Sequence, residues 1–330
     1  MERRNVAINN GVKNKKNEKF IIDVGNGVTK LKTVNGEYKK FLSTVVTKEI
    51  MELSDDTHMI SVDGISSIIG AKDGKTFPGE RRYSRQDYLH TLLTAICVAH
   101  DNKSVQEINS RVLLNLPLEL YQDDTYSLKL KKFEKIKDKR VVVDSVVYNV
   151  NINEIVPLPE GLLLNTLPEE LVENKRNMFL DFGYGTLDII IALGYEIEQI
   201  KTVKKGISIL YNAMAKKLNT TQQNIEYYYN MPTKAIIECE PRDISDIKET
   251  CLDEYADDIL NILEDLNGGS LEGINKIYFQ GGGSEVIYND FKKYIKNSTE
   301  IVENATYSNV DIFESLDPEN SEEEPENSEE

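Results

Sequence analysis

Short apolar runs alternate with longer stretches of helical spacing along the chain. Two runs, residues 20–24 and 28–34, flank Asn26-Gly27. This arrangement predicts a β-hairpin with a type I′ turn, which needs a positive φ at both turn residues. A second strand pair is predicted at residues 178–181 and 187–193, around a Gly-x-Gly turn. Helical apolar spacing predicts helices at residues 88–100, 207–218, 247–266 and 284–295.

Strands and helices that alternate in this way predict an α/β fold, and 330 residues are enough for two domains. The first domain should contain a small insertion of short strands at about residues 41–85. In chain order, the predicted parts are a mobile polar arm (1–18), a first domain (19–160), a second domain (161–288), a C-terminal helix that completes the first domain (about 289–311) and a disordered acidic tail (312–330).

Charge and composition exclude several classes of protein. The net charge is −17, and an acidic chain is a poor match for a polyphosphate backbone, so direct nucleic-acid binding is not expected. The sequence has no apolar run of about 20 residues, so no membrane span is predicted. Residues 1–19 lack the apolar core of a secretory signal, which favours a cytoplasmic location.

The cysteines and histidines give no sign of a disulfide framework or a zinc site. The three cysteines have no C-x-x-C spacing, and the three histidines share no metal-ligand spacing. We therefore interpret all six as ordinary packing or surface residues of a protein from a reducing compartment. They are Cys97, Cys239, Cys251, His58, His90 and His100.

An internal repeat carries the candidate chemistry. Both predicted hairpins follow an apolar strand and read Asp-x-Gly-x-Gly-x-x-charged, about one domain length apart. A third glycine turn, Gly281 to Gly283, follows a predicted strand and precedes a predicted helix. The repeated positions are Asp23, Gly25, Gly27 and Lys30 in the first hairpin and Asp181, Gly183, Gly185 and Asp188 in the second.

These residue types suit a magnesium-bound nucleotide. A carboxylate at the end of a buried strand can hold Mg²⁺ through water, which predicts metal roles for Asp23 and Asp181. Glycines let backbone N–H groups approach phosphate oxygens, and Lys30 adds a positive charge. The third turn would hold the nucleoside end. The alternative is that each hairpin is only a structural turn. The glycines match neither a P-loop nor a dinucleotide-binding fingerprint.

These motifs resemble those of the actin superfamily over about residues 19–305. The resemblance implies an actin-like, duplicated ribonuclease H-like fold with a nucleotide cleft between its two domains. The matching residues are Asp23, Gly25, Asn26, Gly27 and Lys30 in the first phosphate motif, Asp181, Gly183, Gly185, Thr186 and Asp188 in the second, and Gly281, Gly282 and Gly283 in the adenosine motif. Asn26 stands where the family usually has Ser or Thr.

Within the superfamily, the chain is most similar to the ParM-type actins that segregate plasmids. Residues 180–188 resemble their second phosphate loop, with Tyr184 where glycine is common. Residues 116–121 resemble their Gly-Leu-Pro-Leu segment, with Asn115 in place of the glycine. The resemblance implies filaments driven by ATP or GTP with Mg²⁺ in the bacterial cytoplasm. It also implies a ParR-like DNA-binding adaptor on a centromere-like plasmid site.

The resemblance and the residue chemistry together predict individual roles. Glu160, beside Pro159, would orient the attacking water; the alternative is an acid that stabilises a helix N-terminus. Thr186 and the loop glycines would donate to phosphate oxygens, and Asp181 would act in catalysis as well as in metal binding. Asp188 either supports the second loop or is a plain strand-end residue.

Two other functions remain open from the sequence. A small-molecule kinase of the same fold would need an aspartate base beside an acceptor pocket, and the sequence shows no motif for one. A nucleotide-binding scaffold would assemble without hydrolysis, and measured phosphate release would separate it from an ATPase. An Hsp70-type chaperone would need a further peptide-binding domain, for which the chain is too short.

Overall fold

A computed structural model describes residues 17–47, 56–72, 74–77, 79–231 and 234–322. Residues 1–16 of the predicted arm and residues 323–330 of the predicted tail lie outside the described residues. Of the helices in the described ranges, none has the length and apolar content needed to cross a bilayer.

The first domain is built on a nine-stranded sheet, in the order β3-β2-β1-β7-β9-β8-β5-β6-β4. Its strands β4 to β6 come from the predicted insertion and extend one edge of the sheet. The strands are β1 (Glu18–Val24), β2 (Val28–Lys32), β3 (Tyr38–Leu42), β4 (Val45–Val46), β5 (His58–Val62), β6 (Ile65–Ile69), β7 (Glu107–Leu116), β8 (Lys139–Val143) and β9 (Val146–Pro159).

The second domain contains a five-stranded sheet, in the order β12-β11-β10-β15-β16, and a separate two-stranded ribbon. The five strands are β10 (Arg176–Phe182), β11 (Leu187–Leu193), β12 (Glu196–Val203), β15 (Lys276–Gln280) and β16 (Ser298–Ile301). The ribbon pairs β13 (Ala235–Ile237) with β14 (Glu240–Arg242).

Helices cover the sheets and fill the connections. The α-helices are α1 (Gln86–His100), α2 (Leu118–Tyr121), α3 (Asp124–Lys131), α4 (Glu169–Val172), α5 (Ser208–Lys217), α6 (Gln222–Tyr228), α7 (Ser245–Leu266), α8 (Gly282–Phe291) and α9 (Ser308–Ser315). The 3₁₀ helices are Glu80–Ser84, Lys132–Lys135, Leu163–Asn165, Lys292–Tyr294, Ala305–Tyr307 and Pro318–Glu322.

The two sheets repeat one topology. In each, three antiparallel strands form a meander (β1 to β3 and β10 to β12), and two strands then add in parallel (β7 and β9, β15 and β16). One hydrophobic core lies within each domain. A third core joins Ile21 and Leu158 of the first sheet to Phe179 and Tyr278 of the second and to Phe313 of α9. The domains therefore share a packed base below the cleft.

The turn predicted for the first hairpin is wrong in type. Val24 pairs with Thr29, so four residues form the loop, and neither Asn26 nor Gly27 has a positive φ. A type I′ turn has a two-residue loop with a positive φ at both positions. The wider loop turns its backbone toward the cleft.

The predicted C-terminal helix at 289–311 is also wrong. This segment contains β16, which joins the second sheet beside β15, and then α9, which packs against β1 and β7 of the first domain. Only the last part of the segment therefore completes the first domain. The predicted helix at 284–295 likewise starts two residues earlier and ends at Phe291, where a 3₁₀ turn follows.

The predicted disordered tail starts too early. Ile312 and Phe313 are fully buried in the shared core, and Asp317 is buried as well. Asp317 forms ion pairs with Arg111, at 2.8 Å, and Lys19, at 2.9 Å. The acidic composition of the last twenty residues concealed these apolar positions, and two basic residues of the first domain compensate the buried acid.

Candidate functional site

The candidate site is the cleft between the two domains, where β1 and β10 end. A cavity of about 450 Å³ opens there between the two hairpin loops. Gly185 and Gly281 are not among the residues that line it. Thirteen of the predicted site residues line the cavity: Asp23, Gly25, Asn26, Gly27, Lys30, Glu160, Asp181, Gly183, Tyr184, Thr186, Asp188, Gly282 and Gly283.

The two hairpin loops have the same length and lie against each other. Phe182 pairs with Leu187, so the second loop has four residues, as the first does between Val24 and Thr29. A Cβ added to Gly27 would come within 2.7 Å of the Tyr184 side chain. Gly27 is thus needed for this close contact between the domains, and it also lines the cavity.

Lys30 is the basic residue of the first hairpin. It sits directly opposite Asp23 in the β1–β2 ladder, and its Nζ donates to Asp23 Oδ2 at 3.2 Å. Burial by itself would lower the pKa of Lys30, but the carboxylates of Asp23 and Asp181 more than offset this and raise it. The ammonium group therefore stays charged in the cleft.

Asp181 is held at the end of β10 by two side-chain amides. Asn309 Nδ2 donates to its Oδ2 at 3.1 Å, and Gln280 Nε2 donates to the same atom at 3.4 Å. Burial raises the pKa of Asp181. Gly281 has a φ of +81°, which favours glycine, and a Cβ added to it would overlap Asp181 Oδ1. The backbone conformation and the lack of space therefore both require glycine at this position.

Asp188 occupies the position opposite Asp181 in the β10–β11 ladder. Its side chain is buried and accepts a hydrogen bond from Thr202 Oγ1. Burial, then the nearby Glu160 and Asp181, raise the pKa of Asp188 well above its usual range. The cleft therefore favours the uncharged form of Asp188 more than water does.

Glu160 directly follows β9 and faces the cleft, with 15% of its side chain exposed. Asn115 Nδ2 donates to Glu160 Oε1 at 2.6 Å. Burial and the neighbouring Asp23 raise the pKa of Glu160 to about 7. No helix begins at Glu160, since the next helical turn starts at Leu163, so its interpretation as a helix N-terminal acid is wrong.

The third glycine turn caps the second domain's side of the cleft. Gly281 precedes α8, as predicted from the sequence. A Cβ at Gly283 would stand 2.7 Å from the Phe182 carbonyl oxygen, so the turn packs tightly behind the second hairpin. Tyr211, Glu226 and Val286 of the second domain also line the cavity.

Several residues of the site were not predicted as functional. Asn115 links Glu160 to the first hairpin, because its Oδ1 also accepts from the Val24 backbone N–H at 2.8 Å. Asn309 accepts from the Gly161 N–H at 3.0 Å and so connects Asp181 to the turn that follows β9. Arg82 lines the cavity from a 3₁₀ turn. Of these residues, only Asn115 could have been noticed from the sequence, because it replaces the glycine of the family's Gly-Leu-Pro-Leu segment.

The carboxylates fit a magnesium ion held mostly through water. Within the described ranges, no three His, Cys, Asp or Glu side chains are grouped to hold a metal directly. Asp23 and Asp181 nevertheless present hard oxygen ligands from the two sides of one cavity. Mg²⁺ typically binds through one or two carboxylates, several waters and substrate phosphates, which is the donor set available here.

Fold and cleft define a two-domain α/β protein with matched hairpins around a ligand cavity. The family profile described as the N-terminal domain of actin-like proteins matches residues 22–162. The profile described as the C-terminal domain of archaeal MreB-like actin homologues matches residues 179–293. The chain belongs to the actin superfamily. The predicted family and fold class are therefore confirmed. No curated protein sequence matches the chain significantly.

Solved structures of actin homologues share this fold. The archaeal actin homologue Ta0583 has a TM-score of 0.73 and 16% identity over 89% of this chain and 97% of its own. A 15-stranded ParM filament from Clostridium botulinum has a TM-score of 0.73 and 17% identity, over 91% of this chain and 98% of its own. The apo pSK41 ParM protein has a TM-score of 0.66 and 18% identity, over 91% of this chain and 97% of its own. Ta0583 has also been solved in complex with ADP, at a TM-score of 0.71 and 16% identity, over 89% of this chain and 97% of its own.

Proposed function

We propose that this protein is a ParM-like actin that binds ATP or GTP with Mg²⁺, hydrolyses it and polymerises into filaments. The observation that carries the proposal is the pair of matched hairpins, whose aspartates Asp23 and Asp181 and lysine Lys30 line one cavity between two domains. The ADP complex of Ta0583 supports nucleotide binding in this fold.

The nucleotide's phosphates would lie between the hairpin loops. Lys30 would bind them by charge, and Thr186 with the backbone N–H groups of the loop glycines would donate hydrogen bonds. Asp23 and Asp181 would hold the magnesium ion through its waters, and the ion when bound would neutralise phosphate charge. The nucleoside would extend toward Gly282 and Gly283.

Glu160 would orient the attacking water. Phosphoryl transfer depends mainly on positioning and charge stabilisation, so a fixed carboxylate is sufficient for this role. Asn115 holds Glu160 Oε1 at 2.6 Å and thereby fixes its orientation. A pKa of about 7 leaves Glu160 partly ionised at neutral pH, which suits a group that accepts a hydrogen bond from water.

Polymerisation would follow from domain closure. Closing both domains on a nucleotide sets their relative orientation, and a head-to-tail contact that does not close on itself generates an open filament. Hydrolysis would loosen the clamp and favour disassembly. By analogy with the ParM filament, we propose that the filaments move plasmid DNA through a ParR-like adaptor at a centromere-like site in the bacterial cytoplasm.

Light scattering and phosphate release after addition of nucleotide and Mg²⁺ test this function together. Scattering should rise above a critical protein concentration and then decay as nucleotide is consumed. Glu160→Gln should slow phosphate release about 100-fold and delay the decay, because the water loses its acceptor. Glu169→Gln, an exposed residue of α4, is the matched control.

Two outcomes would reject the proposal. Filaments without phosphate release would identify a non-hydrolysing scaffold. A flat scattering trace with both nucleotides at micromolar protein would remove the filament function and favour a kinase of the same fold.

A further inference from the structure

Arg82 is a buried cation in the wall of the cleft. It belongs to the 3₁₀ helix Glu80–Ser84, which directly precedes α1. Only 4% of the side chain is exposed, and it lines the same cavity as the two hairpins. A charged side chain in this position has lost most of its hydration, so its partners decide whether it is stable there.

The hydrogen-bond partners of Arg82 are neutral groups. Its Nη1 donates to Asn26 Oδ1, in the first hairpin loop, at 3.2 Å. Its Nη2 donates to the Tyr83 hydroxyl at 3.0 Å. The guanidinium carbon lies 4.9 Å from the centre of the Tyr83 ring and 5.9 Å from that of Tyr88. These contacts orient the guanidinium group but do not neutralise it.

The charge of Arg82 is only weakly compensated. Among the described residues, Glu160 is the one carboxylate within 4.0 Å, with Oε1 3.9 Å from Nη2, which is beyond hydrogen-bond distance. Lys30, in contrast, donates to Asp23 at 3.2 Å. A buried cation without a hydrogen-bonded anion is costly, and an anionic ligand in the cavity would remove that cost.

The neighbours of Arg82 indicate which part of the ligand it meets. Asn26 belongs to the first hairpin loop, and Glu160 is the residue that would orient water toward the terminal phosphorus. The guanidinium group lies between these two side chains, so it lies at the terminal-phosphate end of the cleft. Its planar set of N–H donors suits two phosphate oxygens at once.

We propose that Arg82 binds the terminal phosphate of the nucleoside triphosphate and thereby distinguishes triphosphate from diphosphate. This inference rests on the proposed nucleotide site. During hydrolysis, the water oxygen forms a bond to the terminal phosphorus, and the bond from that phosphorus to the bridging oxygen breaks. The bridging oxygen keeps the electron pair on the diphosphate, and both protons of the water end on the phosphate product, one of them still on the attacking oxygen. Arg82 stabilises the charge on the transferred group and exchanges no proton.

Nucleotide affinities of Arg82→Gln and Arg82→Lys test the inference. Titration with Mg²⁺ and non-hydrolysable analogues of ATP and GTP, and separately with ADP and GDP, gives the preference for triphosphate. Arg82→Gln should weaken triphosphate binding about tenfold or more, the size of one charge-assisted hydrogen bond, and change diphosphate binding by less than about twofold. Arg82→Lys should weaken triphosphate binding about threefold, because lysine keeps the positive charge but lacks the planar guanidinium with its paired N–H donors.

The control is Arg81→Gln, an exposed neighbour in the same turn with the same change of charge. It should leave both affinities unchanged. Melting curves establish that the variants fold, and if Arg82→Gln does not, the loss in Arg82→Lys decides. If the wild type binds both nucleotides, equal losses of triphosphate and diphosphate affinity in the Arg82 variants, or no loss, would overturn the role of Arg82 but not the proposed nucleotide site. Failure of the wild type to bind any nucleotide would overturn the proposed function with it.

Discussion

At the position opposite the strand aspartate, the first hairpin carries Lys30 and the second carries Asp188. Loop length, the pairing of the strands and the two loop glycines are the same in both hairpins. The ammonium group of Lys30 stays charged beside Asp23, whereas burial raises the pKa of Asp188 and so favours its uncharged form. A duplicated backbone thus supports two electrostatically different walls.

The same asymmetry affects the loop contacts. Gly27 of the first loop meets the Tyr184 side chain of the second at a distance that no Cβ could tolerate. Its counterpart Gly185 has only the Asn26 Cβ within range, at 3.9 Å from an added Cβ. The first domain therefore supplies cationic groups and a thin loop, and the second domain supplies a side chain that packs over it.

The largest effect should come from the aspartates that the hairpins share. Asp181→Asn should weaken Mg²⁺-nucleotide binding about 100-fold, because it removes a carboxylate from the metal's outer ligands. Asp23→Asn should cost only about tenfold, since it also releases Lys30 for the phosphates. Isothermal titration compares the two, with the exposed Asp124→Asn as control. Unchanged affinity in both variants would mean that the repeat is only structural.

Alanine substitutions of the two equivalent loop glycines, Gly27 and Gly185, should differ in their effect on the free energy of unfolding. Gly27→Ala should lower the free energy of unfolding of the nucleotide-free protein by about 2 kcal/mol, because the new methyl group overlaps Tyr184. Gly185→Ala should change it by less than about 0.5 kcal/mol. Denaturant melts measure both, and Tyr184→Gly, which also removes the Cβ of Tyr184, should rescue Gly27→Ala. Equal effects of the two alanine variants would contradict the asymmetry.

Substitutions of the two residues opposite the aspartates, Lys30 and Asp188, should have different effects on nucleotide affinity. Lys30→Met should weaken binding about tenfold through loss of a charged donor. Asp188→Asn should change affinity by less than about twofold, since burial favours the uncharged form of Asp188, and asparagine has a similar shape and can still accept from Thr202. A strong loss of binding in Asp188→Asn would show that Asp188 acts as a carboxylate.

The effect that depends on pH concerns Glu160, which lies between the hairpins. Its pKa is raised from 4.5 to about 7, so its contribution to stability is complete below pH 4.5 and is lost as the pH rises through 7. Glu160→Gln should therefore be more stable than the wild type by about 3 kcal/mol at pH 8, and this advantage should disappear near pH 4.5. Nucleotide-free melts across this range measure it. A difference independent of pH would contradict a buried, titrating Glu160.

The sequence was informative wherever a local pattern decides local structure. The apolar alternation around Asp23 and Asp181 predicted both hairpins, and helical spacing predicted α1 to within two residues at its start. The type I′ turn was wrong because tertiary packing of the two loops, not Asn-Gly alone, selects the loop backbone. The buried α9 was missed because Phe313 and its apolar neighbours lie next to an acidic segment.

The same division holds for the site. The sequence by itself determined the repeated carboxylates and glycines, because ligand chemistry restricts residue type at fixed spacing. Tertiary structure alone decided that the pKa of Lys30 and the pKa of Asp188 are both raised, since a pKa depends on burial and on charges from distant parts of the chain. It also decided that Asn115, Asn309 and Arg82 converge on the cleft. These residues come from three separate segments, and only folding brings them together.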